Sequence, residues 1–377
     1  MSHKTKVSVA TALTWMLLGT GSALAQTWSQ LVTAGSPPSG ENVSNYDATN
    51  NRLIVFFPRN GTLASDEVWV LTNANGLGGT PTWLQLAPTG TAPTINVFAT
   101  AVYNKPGNKL IVYGGCSGNC GSPLPDVYVL THANGLGGTP AWSKSASNTD
   151  IPRENHRAVL DSNTNSMITF GGGLAAFGTD QNDTNVLTPA TGGSPTWTTL
   201  APSGGPPGVR EGHTAVYDQA DNRMIIFGGD DAISTCCPYD ISNYNDVWVL
   251  SNANGQGGTP TWTQLEPQGT APAGRSEHAA VYLPGQNAMY VFGGQSWSNA
   301  TQTYTILGDV WRLNNANGLG ATPSKWTQVG QLGTPPGANS IGGMSFDRAS
   351  QRIIAFGGDD RNGHPHNLAF ILDLKQH

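Results

Sequence analysis

Three short segments place an arginine three residues ahead of a histidine: Arg153 with His156, Arg210 with His213, and Arg275 with His278. Glutamates stand among them at Glu154, Glu211 and Glu277. Arginine offers a planar fork to a carboxylate or a sugar, and histidine or glutamate can move a proton. The same residues could instead tie one strand to its neighbour. Recurrence favours that second reading, because a catalytic site is used once whereas a scaffold contact repeats. The corresponding positions elsewhere are neutral (Asn96 with Ala99, Asn339 with Gly342), so charge gathers on one arc.

Four cysteines, Cys116, Cys120, Cys236 and Cys237, form the second candidate set. In an exported chain disulfides are the default, with three possible pairings. A local 116–120 bridge beside a vicinal 236–237 ring is the first expectation, and bridges between the two pairs are the second. A four-thiolate zinc site is disfavoured by an oxidising compartment and by spacings unlike C-x-x-C. Asp230-Asp231, Asp359-Asp360 and the pair His364 and His366 could bind a metal. They follow glycine-rich turns, however, where Asp commonly acts as a cap, so no metal and no cofactor are expected. Trp297 and Tyr304 could stack on a sugar or simply pack their own loop.

The chain opens on a processing signal. Lys4 and Lys6 precede the apolar run Val7 to Leu18, and Ala23-Leu24-Ala25 reads as a cleavage site. The expected division is a signal peptide at 1–25 and one domain at 26–377, secreted or periplasmic. The apolar run is too short to span a bilayer and no later segment is longer, so no membrane insertion is expected. Removing residues 1–25 takes two lysines and no acid, moving the formal charge from −6 to −8. That balance argues against a nucleic-acid partner. The expected state is a monomer.

The elements that position these residues come from internal repetition. Trp28, Trp83, Trp142, Trp197, Trp262 and Trp326 recur at intervals of 55 to 65 residues, most of them opening a W-x-x-L or W-x-x-V pattern. Between them three further strand signals repeat in order. The first resembles His213 to Asp218, the second Met224 to Gly229 with its glycine pair, and the third Asp246 to Leu250. Linkers such as Asn252 to Pro260 carry the turn pairs Asn-Gly and Gly-Gly. Counting leaves Trp28 to Leu31 as the missing fourth strand of the last unit, so the two ends of the chain must pair. Strand alternation then sends the links from fourth to first strand, and from second to third, to one face. The repeated linkers fall on the other.

This pattern resembles kelch repeats over essentially all of residues 26–377. The resemblance implies an all-β, six-bladed β-propeller whose N-terminal strand closes the last blade. It also implies that the third-strand aromatic and the fourth-strand Trp pack between blades. Blade 1 departs from the family, with Phe56-Phe57-Pro58 in place of the glycine pair. Blade 3 lacks the NANGLGG linker and the third-strand aromatic. The Tyr-His pair of copper-radical oxidases resembling galactose oxidase is absent, as is the E-x-x-x-D-x-x-x-H pattern of iron-dependent specifier proteins. The sialic-acid mutarotase is similar in blade count, export and an Arg/Glu arc. The expected function is an exported binding module for a glycan or protein, on the variable-loop face; the alternative is a sugar-acting enzyme at the arc. Its candidate ligand-binding residues are Arg153, Glu154, His156, Arg210, Glu211, His213, Arg275, Glu277, His278 and Trp297.

Overall fold

A computed structural model describes residues 25–58, 66–95, 97–117, 122–145, 151–174, 179–232, 240–339, 342–360, 362 and 364–375. Its strands fall into antiparallel groups of four. The group most typical of the sequence pattern runs Thr214–Asp218, Arg223–Phe227, Val247–Ser251 and Thr261–Leu265. Its second strand is a continuous apolar run because it is buried on both faces, with Met224, Ile225, Ile226 and Phe227 all inaccessible. The fourth strand lies at the rim, where only Trp262 points inward and its neighbours on the strand are exposed or half-buried. The change from unbroken hydrophobicity to a lone tryptophan thus records distance from the axis.

The first strands neighbour one another in closed order. Val43–Asp47 is followed by Val97–Asn104, Arg157–Asp161, Thr214–Asp218, Ala279–Leu283 and Gly343–Asp347, which returns to Val43–Asp47. This is a β-propeller arrangement, with sheets packed face to face around an axis. Each fourth-strand Trp meets a second-strand aromatic of the preceding group. Trp262 lies 5.0 Å from Phe170, Trp326 5.0 Å from Phe227, and Trp197 4.8 Å from Tyr113. Trp248 and Trp311 of the third strands join the same clusters between groups.

Closure has the form that counting implied. Strand Ala25–Gln30 pairs antiparallel with Ala369–Asp373, Trp28 opposite Leu372, and parallel with the long strand Lys325–Gly333. Trp28 is buried and packs 5.5 Å from Phe292. The proposed leader, apart from Ala25 itself, lies outside the described residues.

On the linker face, near-identical sequences do one job repeatedly. The Asn before the Gly of each N-A-N-G linker, or of H-A-N-G at 132–135, donates to the aspartate ending a first strand in the group before. Asn254 bonds Asp161, Asn317 bonds Asp218, Asn134 bonds Asp47 and Asn75 bonds Asp347, each at 2.7 Å. The last of these crosses the closure. Among the described residues no helix is long and apolar enough to cross a membrane.

Candidate functional site

The arc residues sit where each strap from a fourth strand reaches a first strand. Arg210 is inaccessible to solvent and forks onto Asp246, its two terminal nitrogens 2.7 and 2.9 Å from the two carboxylate oxygens. It also donates to the carbonyls of Gly228 at 2.9 Å and Gly208 at 3.1 Å. Arg275 repeats this on Asp309 at 2.7 and 3.0 Å, with Gly293 and Ala273 as carbonyl partners. Arg153 bonds Asp183. Each aspartate is the residue that opens the D-V-W pattern or its relative; Asn185 holds Asp183 from the other side at 2.8 Å, and a third-strand Trp holds the other two. Trp248 donates to Asp246 at 2.8 Å and Trp311 to Asp309 at 2.6 Å. Where the arginine is missing, Asn339 makes the equivalent bond to the Gly357 carbonyl at 2.8 Å.

The histidines pack against the group before. His156 lies 4.7 Å from Tyr113, His213 5.5 Å from Phe170 and His278 5.1 Å from Phe227. Glycine pairs make room for them. A Cβ on Gly228 would stand 2.7 Å from the Arg275 carbonyl oxygen and 2.9 Å from the His278 ring. Burial holds all three imidazoles well below their ordinary pKa, and the neighbouring arginines add to the effect. They are uncharged at neutral pH, so the cations of the motif are its arginines.

The acids are perturbed the other way. Burial, with Asp180 close by, pushes Glu154 up to about 7. Burial also drives Glu211 well above the usual carboxylate range, helped by Asp180, Asp230, Glu277 and Glu154. Asp230 rises to about 7, again mainly through burial. Backbone bridges bring this row together: Glu211 pairs with Asp230, Glu154 with Gly173, and Gly173 with Asp180.

Closer to the axis a belt of residues links the groups. Asn155 N–H donates to the Phe98 carbonyl, Gly212 to Asn155 and Glu277 to Gly212, at 3.0, 3.2 and 2.8 Å. All four adopt positive φ, of 63°, 49°, 60° and 53° in order. The Glu41 carboxyl group accepts the Phe98 N–H and so continues the belt on its other side. Inside the belt lies a cavity of about 180 Å³ at the loop-face end of the channel. Arg157 reaches across it to Glu277 at 2.9 Å and also bonds Asn155 Oδ1 and the His156 carbonyl, each at 3.1 Å. Burial, with Glu277 nearby, pushes the Glu41 carboxyl up to about 8. Of the residues lining the cavity, Glu277 and His278 were singled out from sequence. Arg157 had a signal in R-x-x-H-R, but a single copy carries no repeat to mark it.

Outside the cavity two hairpins stand side by side on the loop face. One is Asp230–Ala232 with Ile241–Asn243, the other Gln295–Ser298 with Thr303–Ile306. Asn243 exchanges bonds with the Trp297 backbone at 2.9 and 3.0 Å, and Asn299 bonds Asp240 at 2.9 Å. Trp297 packs edge-on against Tyr304 at 4.7 Å, and Tyr304 is 43% exposed. Of the cysteines, Cys116 is buried at the end of strand Lys109–Ser117; Cys120, Cys236 and Cys237 lie outside the described residues. Asp360 caps its turn, accepting the N–H groups of Asn362 and His364 at 2.8 and 3.0 Å. Among the described residues no three His, Cys, Asp or Glu side chains are grouped so as to hold a metal.

Comparison with known proteins adds a family. The KLHDC2/KLHL20/DRC7 Kelch-repeats domain matches residues 107–318, more than half of the chain. Acyl-CoA-binding domain-containing protein 4 of Arabidopsis thaliana is 24% identical over 89% of this chain and 45% of its own length. Kelch domain-containing protein 3 of Rattus norvegicus is 31% identical over 54% of this chain and 48% of its own. The Rab9 effector protein with kelch motifs of Mus musculus is 27% identical over 56% and 51%. The chain thus spans about half the length of these curated relatives. The solved structure of YjhT superposes with a TM-score of 0.65 at 14% identity, over 92% of this chain and 98% of that one.

Proposed function

The chain belongs to the kelch-repeat β-propeller family, and we propose that it is an exported protein-interaction module that meets its partner on the loop face. We count its blades as six, on the support of the closed order of first strands. The observation that carries the interaction reading is the interlocked pair of hairpins. Each is held by the other through Asn243 and Asn299 and presents Trp297 and Tyr304 half-exposed. Aromatic side chains on a pre-ordered support supply contact area at low entropic cost, which is what a binding surface needs. Export rests on the sequence of residues 1–25, with the mature chain starting at Gln26 and disulfides among Cys116, Cys120, Cys236 and Cys237. N-terminal sequencing of the secreted or periplasmic protein and non-reduced peptide mapping test those two points.

A sugar-acting enzyme at the arc is the second reading, favoured by the carboxyl groups that stay protonated near neutral pH. The arginine forks speak for a scaffold role there. The experiment compares capture of exported partners by the parent, by Asn243→Ala with Trp297→Ala, and by Arg210→Ala. The interaction reading expects a partner lost with the hairpin variant and kept by Arg210→Ala, whose stability falls by about 3 kcal/mol as a buried pair is broken. A partner kept by the hairpin variant removes the reading.

A further inference from the structure

We infer that the partner of the hairpin ridge is a basic polypeptide segment, one of whose arginines docks on the Asp240 carboxylate beside the Trp297 and Tyr304 rings. This rests on the ridge being the interaction surface and specifies what meets it.

Three observations point to it. The first is how the anion and the rings are joined. The Trp297 indole N–H donates to Asn299 Oδ1 at 2.8 Å, and the Asn299 amide donates to Asp240 Oδ1 at 2.9 Å and to the Ile241 carbonyl at 3.3 Å. One asparagine thus sets the carboxylate beside the aromatic pair, across the join between the two hairpins. Asp240 is exposed, Trp297 partly so, and Tyr304 43% so. The second is that no cation among the described residues answers Asp240. Between Arg223 and Arg312 the sequence holds seven acids and a single cation, Arg275. That arginine is inaccessible and forked onto Asp309. Arg153, Arg157 and Arg210 are likewise committed, to Asp183, Glu277 and Asp246. The third is the distribution of charge from end to end. Arg52, Arg223 and Arg352 lie at the opposite face, where each donates to the carbonyl of a linker asparagine.

Desolvation decides between partner classes. A neutral surface closing over the ridge would strip water from Asp240 and leave its charge unanswered, and an acidic surface would add repulsion. A guanidinium answers the carboxylate with parallel N–H bonds and can lay its plane on an aromatic ring. Lysine and amino sugars carry a compact ammonium with no such plane, so arginine fits the pairing of anion and rings best. The net charge of −6 draws a basic segment towards the chain at long range.

The test measures, by fluorescence anisotropy on the full chain, binding of labelled Arg-Gly-Ser, Lys-Gly-Ser, Gln-Gly-Ser and Glu-Gly-Ser repeat peptides and of a glucosamine oligomer. The arginine peptide is expected to bind saturably, more tightly than the lysine peptide or the amino sugar and at least tenfold more tightly than the other two. Its affinity should fall as salt is raised. Asp240→Asn is the decisive variant, because its side-chain oxygen can still accept the Asn299 amide. Its melting temperature should match the parent, while affinity for the arginine peptide falls at least threefold and loses part of its salt dependence. Absence of saturable binding by the arginine peptide overturns the inference, as do equal binding of the glutamine peptide and full affinity in Asp240→Asn. Tighter binding of the amino-sugar oligomer overturns the choice of a polypeptide. Arginine-peptide binding unchanged in Asn243→Ala with Trp297→Ala places it away from the ridge and also overturns the inference. The ridge itself is judged separately, by capture of exported partners. A partner lost with the hairpin variant but kept by Asp240→Asn at every salt concentration sinks the basic segment and leaves the interaction reading standing.

Discussion

His156, His213 and His278 and the acids beside them respond to pH with opposite signs. Each histidine has a folded pKa far below its unfolded value near 6.5, so its contribution is present above 6.5 and lost as pH falls below it. Glu41, Glu154 and Asp230 have folded values raised to about 8, 7 and 7. Their contribution is complete below the unfolded values near 4 and is lost as pH rises through 7 to 8. The two slopes oppose each other between about pH 4.5 and 6.5, and above 6.5 only the acids act. Stability is therefore expected to decline from pH 6.5 to 8.5. Glu41→Gln, whose amide oxygen can still accept the Phe98 N–H, should flatten the upper part of that decline. Urea midpoints at half-unit pH steps measure it, and a parent profile that rises over this range contradicts the assignment.

At the scale of elements, the linkers are bolts between groups as well as turns. Asn254 Oδ1 accepts from the amide of Asn222 at 2.7 Å and from the Gln256 N–H at 2.8 Å, while its own amide donates to Asp161. Asn254→Ala should cost about 2 kcal/mol, the magnitude of a buried hydrogen bond to a charged acceptor. Asn254→Asp should be worse, because it sets a carboxylate against Asp161. Denaturation of the two variants gives the order, and an aspartate variant as stable as the parent would disprove the bolt. The strands, the face assignment and the pairing of the chain ends were legible in sequence because each follows from repetition and counting. The partners of Arg153, Arg210 and Arg275 were legible only in part. Asp183, Asp246 and Asp309 were visible as the start of a strand signal, but nothing local says that an arginine some 30 residues earlier returns to them. Glu41 and Arg157 were hidden for a different reason. They are single-copy residues at repeated positions, and their meeting with Glu277 depends on the ring being closed.

For the whole molecule, closure makes stability depend on a short strand at one end of the chain. Strand Ala25–Gln30 lies between Ala369–Asp373 and the outer part of Lys325–Gly333, so its removal exposes both edges at once. It also takes away Trp28, which packs on Phe292, and whose Nε1 donates to Gln331 at 2.9 Å. An exposed strand edge is a template for another chain, and loss of one buried tryptophan alone costs about 3–5 kcal/mol. Deleting residues 26–34 should therefore lower the melting temperature of the entire propeller rather than unfold one sheet, and should favour association through the bared strand Ala369–Asp373. A synthetic peptide of residues 26–34 should restore both the melting temperature and the monomer by adding itself as the missing strand. Thermal melts and size-exclusion chromatography, with and without the peptide, read the two effects together. A truncated chain that melts with the parent would show that the ring is held by the packing of its sheets, with the linker bolt from Asn75 to Asp347 sufficient to keep the first and last groups in contact.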